Sequence, residues 1–510
     1  MTQDLDRGLF DEFVRGYRLR TLLHDHGGLR ARLIRFFLVM VFVLAVGFLA
    51  DLFGLGALTE RFTFRTYSLM VAPFHDTTER DNVPVVMIDD RDLRAHGWLW
   101  PVSYRNHARI LDEILKYNPR SVYMDFLFID QRDDPTIGQL TPVLEKYLEA
   151  EIPVYLPVLP FKRQRSELQD LTRTVLATRR QQGLDDEEYI LHKAARTSPA
   201  YALYLHGCSR GDCGKSALEP LSVDPEKNAD QDPRKDPRFS KPLQIQWGLV
   251  PTGLNKFLDG CKYSSEQSTC SVVRDLWFTA IFQGLTNAEE RCPYMPVISV
   301  TNLLHEGFSP DASAFVEQAL TDRISGKDII YGQALVGVSD FVDPPTQPRV
   351  SSGYRHAMAL ENLRSNGDRY LKAETDISLP FLPKDAGWAI TVTPGTVFFC
   401  VLILLSAIHA FASFSTMHFL EKQSRTLHRH LLVTVAANVL YLGLLLIITV
   451  VQVWLFRLAP LNLAGLYGLI AAVRGASGSF YFQAAERGLS RFLRVPVSVS
   501  QDQQIEGKST

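Results

Sequence analysis

Four apolar stretches, one near the start of the chain and three near its end, constrain what this sequence can fold into more than any other feature. Residues 34–58 are apolar apart from Arg35 at one edge and Asp51 and Gly54 near the other. At about 1.5 Å of rise per residue such a run crosses a ~30 Å hydrocarbon core. Comparable runs occupy 393–414 and 431–456, and a weaker one, interrupted by Arg474, occupies 461–482. A cleaved leader is the competing reading of the first run, with Ala45 and Gly47 as the small residues beside a cleavage site. The long, charged sequence before it exceeds a usual leader and predicts an uncleaved anchor.

The expected layout is therefore a cytoplasmic segment 1–32, transmembrane helices at 33–58, 389–414, 431–456 and 461–482, and a cytoplasmic tail 483–510, with a large domain at 59–388. Basic residues orient it, because Lys and Arg flanking membrane helices stay in the cytoplasm. Arg15, Arg18, Arg20, Arg30, Arg32 and Arg35 precede the first run, Lys422, Arg425 and Arg429 lie between the second and third, and Arg487, Arg491 and Arg494 follow the fourth. With four helices all three groups fall on one side; Arg61, Arg65 and Arg457 are exceptions on the other. The chain reads as a multi-pass protein of the bacterial inner membrane, both termini cytoplasmic and the large domain periplasmic. Its 54 Lys and Arg against 56 Asp and Glu point to no nucleic-acid partner and no acidic tail.

Cys208, Cys213, Cys261, Cys270 and Cys292 fall in the exported domain, and Cys400 falls in an expected membrane helix, buried there. An oxidising compartment favours disulfides, and the short spacings suggest Cys208 with Cys213 and Cys261 with Cys270, leaving Cys292 free. No zinc-type C-x-x-C spacing occurs.

Within the domain, 83–88 reads as a buried strand ending at Asp89 and Asp90. Ser103 caps a helix whose apolar positions Ala108, Ile110, Leu111, Ile114 and Leu115 recur at helical spacing until Asn118 and Pro119 stop it. A strand over 120–128, a helix over 141–149 and a strand over 152–158 complete a βαβαβ pattern, which implies an α/β fold with a mostly parallel sheet and right-handed crossovers. A polar helix is expected over 164–193, the end of a helix at 201–205, an exposed loop at 222–241, strands at 243–247, 297–300 and 328–331, and a helix over 354–363.

These residues carry a resemblance. The strand ending in Asp89 and Asp90, then Leu93, Gly97, Trp98, Trp100 and Pro101, then His107, Ile110 and Leu111, then Asp125 and Phe128 form one motif. Gly326 and Lys327 leading into the strand 329–331 and Gly332, then Asp340, Pro344, Thr346 and Pro348, then Gly353, His356 and Ala357 form the second. Their order and spacing over 83–357 resemble the CHASE type-two domain, an extracytoplasmic sensor carried by cyclases and histidine kinases. The membrane layout resembles that family too. The resemblance implies a sensor that works as a dimer. It departs from the pattern in lacking a following cytoplasmic enzyme, so the expectation is that output comes from a separate chain or that there is none. The Cys-bearing segments 207–241 and 252–291 read as insertions.

Asp89, Asp90 and Asp125 should end neighbouring parallel strands, where open α/β sheets place ligand crevices, and Asp340 could join them. Such carboxylates suit a cationic ligand or divalent ion; the rival reading is that they cap helices and close turns. Trp98 and Trp100 form an aromatic loop beside them, fit for a binding mouth or for covering the sheet edge. Gly207, Ser209 and Gly211 spell a hydrolase nucleophile elbow, but a helix rather than a strand is expected before them. Gly214, Lys215 and Ser216 resemble the end of a phosphate loop, yet Ser209 stands where its first glycine belongs.

Asn438, Gln452 and Arg474 are candidate polar contacts among membrane helices. Leu9, Phe10, Phe13, Val14 and Tyr17 share one helical face that fits a membrane surface or a cytoplasmic partner. The expected function is reception of an envelope signal, with no catalysis and no cofactor, in contact with the lipid bilayer and a protein partner, as a homo-oligomer or within a larger complex. The alternative is a structural subunit of an envelope assembly.

Overall fold

The computed structural model describes residues 55–373 except 129–133, 160–161, 163, 178–187, 194–195, 216–235, 250, 254, 256–291, 305–309, 338–340 and 348, together with 375–378, 389–392 and 427–460. Positions 37, 38, 41, 397, 398, 400, 401, 404, 462, 465, 466 and 468 are described singly or in short runs. The chain divides into two compact units, one comprising 1–63, 394–450 and 461–510, the other 64–393 and 451–460.

The second unit is built on a parallel sheet. Its strands are β1 (Val85–Asp89), β2 (Ser121–Met124), β3 (Val154–Val158), β4 (Arg173–Leu176), β5 (Val297–Ser299) and β6 (Asp328–Ala334). They lie in the order β4-β3-β2-β6-β1-β5, every pairing parallel. Among the described residues the helices are α1 (Leu55–Val71), α2 (Asp90–His96), α3 (Tyr104–Lys116), α4 (Ile137–Glu149), α5 (Pro199–Ser209), α6 (Val300–Leu304), α7 (Pro310–Ile324), α8 (Ser352–Asn366) and α9 (Leu427–Phe456).

The crossovers from β1 to β2, β2 to β3 and β5 to β6 all step the same way across the sheet, so right-handedness puts their helices on one face. There α3 buries Ile110, Leu111 and Ile114 against Val86, Ile88, Tyr331 and the apolar side of α4. The return from β4 to β5 steps the other way, and α5 packs with α8 on the opposite face, against Val85, Met87, Tyr123 and Ile330. Burial of each large aliphatic side chain contributes roughly 1.5–3 kcal/mol, so each layer is held mainly by its apolar face.

The α/β class, the mostly parallel sheet, the Ser103 cap and the disulfide Cys208–Cys213 agree with the sequence reading. The polar helix expected over 164–193 does not form among the described residues. A short turn, Ser166–Leu168, leads instead into edge strand β4, followed by the two-residue strands Glu188–Tyr189, His192–Lys193 and Arg196–Thr197. The β-branched Thr172, Thr174 and Val175 favour extended chain, and Val175 and Leu176 bury on opposite faces of the sheet edge. The loop expected at 222–241 lies largely outside the described residues, but Phe239 at its end is fully buried.

Cys292 is disulfide-bonded, which corrects the expectation that it is free. Cys208 and Cys213 are joined to each other, and Cys261 and Cys270, whose pairing the spacing suggests, lie outside the described residues. Cys400 is free and lies at the surface of the chain.

Among the described residues no helix is long and apolar enough to cross a membrane. Most of the expected spans 33–58, 389–414 and 461–482, and Arg474 with them, lie outside those residues. The third falls within the 30-residue helix α9. Ile447, Val450, Trp454 and Leu455 are exposed along it. The expected boundary at 58 lies inside α1, a helix that carries Glu60, Arg61 and Arg65. A hairpin, Thr375–Ser378 with Ala389–Val392, occupies the start of the expected second span.

Candidate functional site

Strand β6 is the pivot of the sheet. Its neighbours β1 and β2 both lead into helices on the α3 face, whereas β6 leads into α8 on the other face. Chain leaving adjacent strand ends in opposite directions is the arrangement that, in open α/β sheets, forms a ligand crevice at the carboxyl edge. Gly332 of β6 faces this place: a Cβ there would make ordinary van der Waals contact with Met87 and the Asp125 Cβ at 3.6 Å, and lie 4.0 Å from Gly353 of α8.

Asp125 follows β2 in that crevice. It accepts a hydrogen bond from the Tyr123 hydroxyl at 2.8 Å and another from the Ser352 hydroxyl, at the first turn of α8, also at 2.8 Å. The ring of His356, one turn further along α8, brings Nε2 to 3.8 Å from the same carboxylate. Nδ1 of His356 lies 2.8 Å from the Tyr189 hydroxyl, which also accepts the Ala200 N–H. The tautomer with its proton on Nε2 satisfies both of these neighbours. Burial pushes the Asp125 carboxyl above its usual range, and the two hydroxyl donors only partly offset it. The guanidinium of Arg355 lies over the Tyr189 ring and donates to the Glu188 carbonyl. On the other face of β6, His107 Nδ1 meets the Tyr331 hydroxyl at 2.8 Å. The two histidines of the sequence motifs thus flank the central strand, each held by a tyrosine.

The other candidates divide. Asp89 caps α2, accepting the Arg91 and Asp92 N–H groups at 2.7 and 2.8 Å, while Asp92 returns the bond to the Asp89 N–H, a complete capping box. Asp92 also accepts from the backbone and hydroxyl of Thr301, tying α2 to α6. Asp90 accepts the Val336 N–H at 2.9 Å and so clips the loop after β6 to the end of β1. Among the described residues no group of three or more His, Cys, Asp or Glu side chains could hold a metal ion. Trp98 stacks on His96 with centroids 4.7 Å apart, and Trp100, in a cis bond to Pro101, is exposed beside Leu99. Asp340, Cys261 and Cys270 lie outside the described residues, and Asn438 lies on α9 where its side chain is not described. Gln452 is buried and donates to the Ala459 carbonyl, past the end of α9. Ser209 ends α5, its hydroxyl donating to the His206 carbonyl, so the strand before an elbow is missing.

Sequence reasoning missed what lies at the far end of α8. Every residue of this helix from Ser352 to Arg364 is buried, and ~1.5 Å per residue carries it about 20 Å to the amino edge of the sheet. There Arg364 reaches Glu79 at 2.8 Å, Asp212 at 3.0 Å and Asp328 at 3.5 Å. Arg120 binds the same Asp328 at 2.9 Å and also Asp212, and Ser121 donates to Asp328 at 2.6 Å. One turn earlier Glu361 pairs with His75. Beyond the helix, Gln244 N–H donates to Leu371, Lys372 N–H to Arg457, and Ala459 N–H to Lys372. The segment after α1 and the residues after α9 are therefore both fastened at the end of the helix whose start carries Ser352 and His356. These partners lie far apart in sequence, so no local pattern announces them.

The CHASE2 domain model matches residues 37–407. No curated protein and no solved structure matches the chain.

Proposed function

The chain belongs to the CHASE2 domain family, a family of sensory extracellular domains, and from that premise we propose that it receives an envelope signal at the carboxyl edge of the sheet and relays it through membrane helices to a separate partner. The observation that carries this reading is α8, whose first turn lines the crevice with Ser352 and His356 and whose last turns grip the segment after α1. A ligand that engages Asp125 or His356 better in one setting of α8 than in another would favour that setting at both ends, which is the requirement for any relay. The exposed apolar length of α9 and the apolar stretches flanking the domain support an inner-membrane placement with the domain exported. Binding rather than catalysis is the proposed role: Ser209 lies at a helix end, and the polar groups of the crevice bond one another without an activated nucleophile among the described residues.

The test is affinity purification of the intact chain from its native membrane in mild detergent, with mass spectrometry of what accompanies it. A cytoplasmic cyclase, kinase or regulator supports reception with output in trans. Stoichiometric recovery of several envelope proteins, unchanged by replacing Asp125 or His356, would instead make the chain a structural subunit that reuses the fold.

A further inference from the structure

The segment between α1 and β1 is bound to α8 by a pair that the crevice does not use. His75 Nε2 lies 3.0 Å from both carboxylate oxygens of Glu361. The His75 side chain is 8 % exposed and that of Glu361 0 %, so water screens the pair little. The Tyr294 ring stands edge-on to the imidazole at 5.8 Å. Asn362 and Ser365 of α8 donate to the same carboxylate and hold it in place.

We infer that His75 and Glu361 form a proton-binding site, and that protonation of the imidazole tightens the grip of α8 on the segment 72–82 while deprotonation loosens it. The site goes beyond ligand reception at the carboxyl edge and stands without it. The proton is then a second input, delivered at the end of α8 remote from the crevice.

The charged groups around the ring favour this. On its own segment His75 is followed by Asp76, which Lys215 pairs, and by Arg80, which pairs Asp81 and lies over Tyr294. From α8 it faces Glu361. Burial pushes the imidazole down, but Glu361, by charge and hydrogen bond, and Asp76 more than reverse this against the opposing Arg80, so the His75 pKa is raised. A raised histidine pKa contributes stability that is complete below the unfolded value near 6.5 and is lost as pH rises through the folded value. The grip therefore weakens on the alkaline side. A neutral imidazole still donates to Glu361, so the contact loosens without vanishing. Charge-assisted hydrogen bonds are roughly twice as strong as neutral ones, which corresponds to about a fivefold change in local opening.

Hydrogen exchange with mass spectrometry on the full chain in detergent, from pH 6 to pH 9 and corrected for intrinsic exchange, reads this directly. Peptides covering 72–82 should lose about fivefold in protection toward alkaline pH while those from β2 and β3 do not. The His75→Gln variant keeps a donor but no titration, and should show the weak protection at every pH. Should that variant fail to fold, Glu361→Gln, which leaves the ring in place and removes its counter-charge, should flatten the profile in the same way. Protection of 72–82 that is constant with pH in the natural chain, or a pH dependence that survives in the folded variant, would overturn the proposal. Neither result touches the crevice, so signal reception there stands or falls separately.

Discussion

Replacing Arg364 by Met removes the guanidinium while keeping most of the length of the side chain, and the structure sets the cost. Arg364 is 1 % exposed and serves three carboxylates, but not equally. Asp212 is 43 % exposed and keeps Arg120, so its loss is screened and small. Asp328 keeps Arg120 and Ser121. Glu79 keeps, among the described residues, the neutral amide of Asn82. The dominant cost is thus one buried carboxylate stripped of its charge partner, about 3–5 kcal/mol. For a domain of this size about 2 °C per kcal/mol converts this to a Tm lower by roughly 6–10 °C. Thermal unfolding of the full chain in detergent, followed by tryptophan fluorescence, measures it. Adding Glu79→Gln to Arg364→Met should return about 1–3 kcal/mol, because it neutralises the stranded charge. A drop below ~2 °C, or no recovery in the double variant, would refute the view that this arginine neutralises a buried acid.

Three further outcomes follow from the same geometry. The raised pKa of Asp125 means that the folded domain holds this proton more tightly than the unfolded chain, so ionisation costs stability as pH rises through the folded value. Asp125→Asn should therefore leave stability at pH 7 within about 1 kcal/mol of the natural chain or above it, while abolishing the response to whatever signal the crevice receives; a larger loss in urea unfolding would show that the ionised form is structural. Gly214 has φ +78° and a Cβ there would meet the Arg364 carbonyl at 2.6 Å, so Gly214→Ala should cost about 1–3 kcal/mol in the same assay. Changing Cys208 and Cys213 together to Ser opens a loop of sequence separation 5 and should cost ~2 kcal/mol, with no change expected if the reduced chain is compared in dithiothreitol.

The parts legible in advance were those whose physics is local. Ser103 caps α3 because its hydroxyl reaches the Asn106 N–H three residues on, and the apolar spacing after it is visible in the sequence itself. The Asp89 and Asp90 motif marks a strand end wherever the fold places it, and here its carboxylates serve a cap and a clip. The stretch 164–193 misled because sparse leucines at helical spacing also fit short strands, and its pairing with β3 and with Leu243 and Gln244 is a tertiary choice. Asp125 could be named as a candidate, but not its company: Ser352 and His356 come from more than 200 residues later, brought in by the position of β6. The Arg364 cluster was invisible for the same reason, since Glu79 precedes it by 285 residues.

That position of β6 also sets the order in which the domain can be made. Val85 pairs with Ile330, 245 residues downstream, and Ser121 pairs with Asp328, so the strand joining the two halves of the sheet is the last to be synthesised. Until it arrives β1 and β2 have no partner between them, and their open edges invite wrong pairing. Closing so long a loop is slow. A chain stalled halfway through synthesis would therefore present two unjoined fragments rather than a smaller working domain, and the sheet, with its crevice, comes into being only when β6 has been made.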